Sequence, residues 1–246
     1  MTSARESAEL VNGRRGQFGP QNSNPGGITL LRERFSCRAF LDEPVSEEAL
    51  KRILDLANRS PSWCNTQPWT VTLVQGESRE ALVSELLAAA RDSQPAPEIA
   101  VPERYEGVHQ ERRRGAGYAL YESAGIERSD TDARAAQALR NLELFGAPCA
   151  LLITVPRYLG PYALVDVGAY LSYLQLAAQS FGVATILQAA LAMHPEAVRK
   201  VVPLPADEAL VCGISLGYPD LDHPANSFET ERNQWSMGPG GEWPLQ

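Results

Sequence analysis

The chain has 246 residues and a formal net charge of −8, from 22 Lys and Arg against 30 Asp and Glu. With 44% hydrophobic and 21% charged residues, its composition is that of an ordinary globular protein, which excludes wholesale disorder, collagen and coiled coil. The acidic balance argues against nucleic acid or an anionic lipid surface as partner, and no stretch approaches the ~18 unbroken apolar residues of a membrane span.

Residues 1–27 are poor in large apolar groups and rich in Gly, Asn, Ser, Gln and Pro, and are expected to form a mobile leader. Order is expected to begin at Ile28-Thr29-Leu30-Leu31. A helix opens after Ser46, a good N-cap followed by Glu47 and Glu48, which complement the helix dipole. Val45 and Leu50 stand at hydrophobic-staple positions. Leu50, Ile53, Leu54 and Ala57 then follow the spacing of one buried face, and Ser60-Pro61 stops the helix. Thr70 to Val74 reads as a strand, Glu80 to Arg91 as a helix, and 92–108 as a Pro- and Glu-rich loop. His109 to Ser123 and Asp132 to Phe145 read as two further helices, and Cys149 to Val155 as a buried strand. Ala163 to Phe181 is an amphipathic helix closed by Gly182. Val183 to Leu187 reads as a strand, Pro195 to Val201 as a short helix and Ala209 to Leu216 as a strand. From Gly217 onward there is no periodic pattern. Six helices and four strands that do not strictly alternate, with no linker between 28 and 230, predict one α+β domain.

Cys37, Cys64, Cys149 and Cys212 form no C-x-x-C pair, which suits neither a disulfide framework nor zinc; they read as reduced thiols of a cytoplasmic protein. The N-terminus has no apolar h-region, so no signal peptide is expected. His109, His194 and His223 lack metal-ligand spacing, so no metal is expected. Neither G-x-G-x-x-G nor a Walker pattern occurs. Gly213-Ile214-Ser215-Leu216-Gly217 matches the G-x-S-x-G elbow of serine hydrolases. The residues after it make a poor helix start, and His223 follows too soon, so a buried strand end is the plainer reading. Arg112-Arg113-Arg114 reads as a solvated helix face or as part of a substrate site.

Two segments rise above this background. In extended backbone, Arg34, Ser36 and Arg38 share one side while Phe35 and Cys37 point inward. Two guanidiniums and a hydroxyl then form an anion cradle; the alternative is an ordinary surface strand. Ser60-Pro61-Ser62-Trp63-Cys64-Asn65-Thr66-Gln67-Pro68-Trp69 lies between a helix and a strand. Its short hydroxyl and amide side chains suit a polar ligand edge; the alternative is a turn with an aromatic plug.

Taken together, Arg34-Phe35-Ser36-Cys37-Arg38-Ala39-Phe40, Pro44 and the loop from Ser60 to Trp69 resemble the opening of the nitroreductase family of flavin enzymes. Phe181 to Ala190 is similar to a later family segment, and Gly217-Tyr218-Pro219-Asp220 through Asn226 to Arg232 to the family's ending. The resemblance spans residues 30–232. Glu111 to Arg114 and Tyr118 to Tyr121 are most similar to the nitrobenzoate-reductase-like branch.

The resemblance implies a mixed sheet flanked by helices in an intertwined homodimer, with FMN bound at the subunit interface and NADH or NADPH as electron donor. Arg34 and Ser36, with Phe35 between them, match phosphate-side contacts. Arg38 matches a basic residue near the flavin pyrimidine edge. Pro61, Ser62, Trp63 and Asn65 match a loop reaching the flavin from the partner subunit. Gln188 and Ala189 match the segment whose backbone N–H meets flavin N5, and Arg232 matches a late basic residue at the phosphate. No protein nucleophile is implied, because the cofactor carries the chemistry. The implied reaction is ping-pong reduction of a nitroaromatic or quinone. Reductive dehalogenation, flavin modification, flavin binding without turnover and serine hydrolysis are the alternatives. Leu187 stands where the family usually has proline, and Trp63 where it often has Ser, Gly or Thr, a bulk expected to narrow the acceptor pocket. Residues 92–125, with Tyr105, Arg113 and Tyr118, are expected to form a lid over the flavin, with one of Arg112, Arg113 and Arg114 binding an acidic substituent of the substrate. Residues from about 218 to 246, including Trp235 and Trp243, are expected to form an arm on the partner subunit.

Overall fold

The computed structural model describes residues 25–232. The chain divides into two units, Met1–Arg34 and Phe35–Gln246. In the first, Pro25–Glu33 is a helix, α1, continued by the Arg34 N–H, which donates to the Leu30 carbonyl at 3.1 Å. Residues 25–27, expected in the leader, therefore belong to a helix; the rest of the expected leader lies outside the described residues.

The second unit contains α2 (Glu47–Ala57), β1 (Thr70–Gln75), α3 (Glu77–Asp92), α4 (Gly107–Ser123) and α5 (Thr131–Leu139). There follow β2 (Cys149–Pro156), α6 (Ala163–Ser180), β3 (Ala184–Gln188), α7 (Pro195–Val201) and β4 (Glu208–Gly217). The α+β class holds. The strands form one sheet in the order β1-β2-β4-β3, antiparallel at every pairing. The parallel component of the expected mixed sheet is confined to an isolated bridge between Ser36 and Thr185.

The sheet is covered on both faces. Cys149, Leu151, Ile153 and Val155 of β2 pack with Leu50, Ile53 and Ala57 of α2 and Tyr170, Leu174 and Ala178 of α6. Ala150 and Leu152 pack on the opposite face with Leu82 and Leu86 of α3 and Val198 of α7. On β4 the alternation changes phase: Ala209 lies on the α6 face, and so do Cys212, Ile214 and Leu216. Between Ile153 and Thr154 the register passes from Cys212 to Leu210, so Val211 is an extra residue. Such a bulge moves every following side chain to the other face.

Local chemistry explains most element ends. The Ser46 hydroxyl caps α2 by accepting from Ala49 N–H at 3.2 Å, and Val45 and Leu50 are both buried. The helix expected over 132–145 stops at Leu139. Leu144 and Phe145 take left-handed backbone, at φ 57° and 54°, and bury both side chains in a 3-10 turn. A periodic apolar pattern does not reveal this, because burial outweighs the cost of a left-handed non-glycine residue.

Candidate functional site

The segment after Phe35 runs along the free edge of β3. Cys37 N–H donates to Thr185 O at 3.1 Å. Side chains alternate as the sequence predicts: Cys37 and Ala39 are buried, while Ser36 and Arg38 are part-exposed. Phe35 is only half-buried, short of the inward position expected for it. Arg34 belongs to the first unit, so its relation to Ser36 and Arg38 stays that of the sequence.

Asn226 fastens this segment to the chain's own later residues. Its Oδ1 accepts from Arg38 N–H at 2.6 Å, and its Nδ2 donates to Ala39 O and Asp220 O at 2.8 and 2.7 Å. Leu41 N–H donates to Tyr218 O at 2.9 Å. Residues 218–226 thus dock on residues 38–41 of the same chain. Trp235 and Trp243 lie outside the described residues.

Among the described residues the Arg38 side chain donates once, from Nη1 to Ser36 O at 3.1 Å, and lies 5.1 Å from the Phe228 ring centroid. The other guanidinium N–H groups stay available to a ligand. Burial lowers its pKa from the ordinary value, with Cys37 acting the other way. Arg232 curls onto its own segment, donating from Nη1 to Thr230 O, Thr230 Oγ1 and Glu231 O.

Gln188 has a structural side chain. It is buried, its Nε2 donates to Asn141 O at 2.6 Å, and its Oε1 accepts from Ser215 Oγ. The backbone is different. Because Thr185 spends its carbonyl on Cys37, ladder alternation turns the Leu187 peptide to the same edge. Ala189 follows two residues later, where the strand becomes a 3-10 turn. Among the described residues no strand pairs with this edge beyond Thr185.

The same hydrogen bond removes the hydrolase reading. Ser215 is fully buried within β4 and donates to Gln188. The glycines on either side of it are packing requirements. A Cβ on Gly213 would meet Leu191 Cδ1 at 2.2 Å, and one on Gly217 would meet Pro148 Cδ at 2.7 Å.

The loop after α2 holds three left-handed non-glycine residues, Cys64, Asn65 and Gln67. It is closed by its own bonds: Gln67 N–H to Ser62 Oγ at 2.9 Å, Gln67 Nε2 to Asn65 O at 3.1 Å, and Asn65 N–H to Ser62 O at 3.0 Å. Pro61, Trp63 and Asn65 are exposed and Ser62 half-buried. Trp63 N–H donates to Asp166 Oδ1 at 3.0 Å, and its ring lies 4.5 Å from that of Tyr162, tilted by 59°. Trp69 stacks on Tyr170 at 4.6 Å. Tyr162, Asp166 and Tyr170 stand four residues apart along α6, so one stripe of the helix holds the whole loop. The sequence reading missed Asp166; a carboxylate on the buried stripe of a helix between two tyrosines was the available signal.

In 92–125, Arg113 lies over Tyr105 at 5.2 Å and Arg128 over Tyr118 at 4.0 Å. α4 has no buried residue and meets the 224–226 turn. All four cysteines are free, with burial raising Cys37 and Cys149 to about 11 and Cys212 to about 12. Among the described residues no cluster of His, Cys, Asp or Glu suits a metal, and no helix is long and apolar enough to cross a membrane.

Comparison with known proteins agrees with this geometry. The model of the Nitroreductase family matches residues 31–218. The 4-nitrobenzoate reductase of Nocardioides sp. (strain LMS-CY) is 37% identical over 214 residues, 82% of this chain and 84% of that one. Among solved structures, the FMN and NADPH-dependent nitroreductase NfnB from sphigopyxis sp. strain HMH is 33% identical with a TM-score of 0.81, covering 86% of this chain and 99% of that one. NfnB from Mycobacterium smegmatis, solved in complex with NADPH, is 30% identical with a TM-score of 0.81 over 86% of this chain and 98% of that one. The fold thus has structural counterparts among FMN-dependent nitroreductases. The chain belongs to the nitroreductase family.

Proposed function

We propose that the protein is an FMN-dependent NAD(P)H oxidoreductase that reduces nitroaromatic or quinone-type acceptors, in alternating half-reactions and as a homodimer. The observation that carries this reading is the open edge of β3, where unpaired backbone beyond Thr185 lies in line with the Ser36–Arg38 segment. That donor set fits FMN: a hydroxyl, a guanidinium with unused N–H groups, and edge amides suit a phosphate and a polar ring edge. The relatives described as 4-nitrobenzoate reductases and as FMN and NADPH-dependent support the same cofactors and acceptor class.

FMN held here would supply two-electron hydride chemistry between a nicotinamide and the acceptor, so the protein's part is position and charge. Ser36 and Arg232 would hold the phosphate, a role the family resemblance extends to Arg34 and Phe35 beside Ser36 in the sequence. Arg38 would place positive charge beside the ring, which favours negative charge developing there. The Ala189 N–H, at the end of the Gln188-Ala189 segment, would face the ring edge that exchanges hydride. Pro61, Ser62, Trp63 and Asn65 border the ring of the partner subunit's site, and Tyr105, Arg113 and Tyr118 close over the acceptor. The homodimer is supported by α6, which exposes Val165, Gly168 and Ser172 in one stripe; small side chains there let a second helix approach closely.

The purified protein, reconstituted with FMN, is expected to be yellow. It should bleach on anaerobic NADPH or NADH and recover colour on adding 4-nitrobenzoate. Failure to retain FMN, or bleaching with no recovery by any nitroaromatic or quinone, overturns the reading. Sedimentation tests the dimer.

A further inference from the structure

Residues 61–67 hydrogen-bond almost entirely among themselves. Among the described residues, one hydrogen bond joins this stretch to a distant element, from Trp63 N–H to Asp166 Oδ1 at 3.0 Å. Asp166 is only 9% exposed, and a carboxylate is not buried without compensation. Two features compensate it. It sits in the first turn of α6, where the helix dipole favours an anion, and it accepts a charge-assisted bond from Trp63 N–H, stronger and more directional than a neutral one. One turn earlier, Tyr162 meets the indole. Helix α6 thereby fixes both the backbone and the ring of Trp63. Both rings remain open, Trp63 at 61% and Tyr162 at 57% exposure, so the pair presents a broad aromatic face rather than a core plug.

We infer that Trp63 and Tyr162 form a wall that selects acceptors by size, admitting a single ring and obstructing fused or bulky ones, and that Asp166 is the positioning residue that holds this wall in place. The inference rests on the reading that residues 61–65 border the flavin. Asp166 does not touch acceptor or cofactor; it acts through the Trp63 peptide. Without that bond the loop keeps its internal turns and the stacking of Trp69 on Tyr170 but loses the hydrogen bond that fixes the Trp63 peptide on α6, and the indole no longer has a set orientation. Asn at 166 offers an oxygen in the same place, so it retains the bond without the charge. Tyr162 acts on the ring alone, and its surface position makes its truncation compatible with folding.

The test compares kcat and KM on 4-nitrobenzoate and on 1-nitronaphthalene for wild type, Trp63→Ala, Tyr162→Ala, Asp166→Ala and Asp166→Asn. FMN affinity is measured on each by fluorescence quenching. Trp63→Ala, Tyr162→Ala and Asp166→Ala are expected to raise the kcat/KM ratio of the bulky to the small acceptor by roughly tenfold, the discrimination that about one methylene of pocket space provides. The change should lie chiefly in KM for the bulky acceptor, and Asp166→Asn should recover most of the wild-type ratio. A ratio unchanged in Trp63→Ala with FMN still bound removes the wall. A ratio that moves in Trp63→Ala but not in Asp166→Ala or Tyr162→Ala removes the positioning role. Should Asp166→Ala fail to fold, Asp166→Leu, which removes the acceptor oxygen at similar shape, takes its place, and a wild-type ratio there removes the positioning role. A wild-type protein that does not bind FMN defeats the underlying functional reading instead, and is distinguished by that measurement.

Discussion

Replacing Glu98 with alanine should be among the more damaging single changes outside the sheet. Glu98 lies in the connection between α3 and α4, with its side chain only 11% exposed. Its Oε2 accepts from Leu210 N–H at 2.6 Å, the amide beside the Val211 bulge. Arg199 Nη2 reaches both oxygens at 3.3 Å, and Arg157 Nη2 reaches Oε1 at 2.5 Å. A hydrogen bond involving a charged group contributes ~1.5–3 kcal/mol. Arg157 is nearly half exposed, so its pairing adds about 0–1 kcal/mol. Counting the Leu210 and Arg199 bonds in full gives about 3–6 kcal/mol, of which breaking a buried pair typically realises about 3–5 kcal/mol. For a chain of this size the melting temperature should fall by roughly 6–20 °C. Glu98→Gln keeps an acceptor for Leu210 N–H and should lose about half as much.

The pH dependence follows from the same contacts. Burial alone would raise the Glu98 pKa, but the Leu210 N–H and the two arginines outweigh it and hold the carboxyl below its ordinary value. A group depressed in the folded state stabilises fully above its unfolded pKa, ~4.3 for Glu, and the benefit is lost as pH falls through the folded value. The gap between wild type and Glu98→Ala in thermal denaturation should therefore be full at pH 7 and narrow below about pH 4. A gap under about 2 °C at pH 7, or one that does not narrow in acid, would refute the reasoning.

Three further outcomes are expected. Losing one charged hydrogen bond in Arg34→Ala should weaken FMN binding roughly 10- to 150-fold, while riboflavin, which lacks the phosphate, binds both proteins alike; fluorescence quenching measures both, and equal FMN affinities would remove Arg34 from the phosphate site. Replacing Arg112, Arg113 and Arg114 together with alanine should lower the rate on carboxylated acceptors relative to neutral ones, and an unchanged ratio rules out their role on the acceptor side. Gly213→Ala forces a Cβ into Leu191, an overpacking that should cost about 1–3 kcal/mol and show in calorimetry as a lower melting temperature; an unchanged value means that Leu191 can rotate away freely.

Where local chemistry decides, the sequence was a good guide. The Ser46 cap, the staple of Val45 and Leu50, the Gly182 stop and the 195–201 helix are all where the residues imply, because each depends on neighbours a few positions away. The end of α5 was misread because burial of Leu144 and Phe145 is decided by distant packing. Period two placed Ser36 and Arg38 correctly on the accessible side, but it could not reveal that Asn226, 188 residues away, clips that segment down. The Gln188 motif was recognisable while the use of its side chain was not, since both partners, Asn141 and Ser215, come from other elements. Asp166 was overlooked for the same reason: its partner is a backbone amide, which carries no letter in the sequence.

The Val211 bulge acts on β4 as a frameshift acts on a message. Upstream of it odd-numbered residues face α6; downstream even-numbered ones do. Any graft that replaces β4 must therefore preserve its residue count as well as its hydrophobicity, because a strand one residue shorter reads in a single frame. Removing Val211 would carry Ala209 to the opposite face or expel Ile214 and Leu216 from theirs. It would also return the Leu210 amide to the ladder, leaving Glu98 without its backbone donor. The bulge thus sets the anchorage of the connection leading to α4, and the two would have to change together in any redesigned or diverged version of this chain.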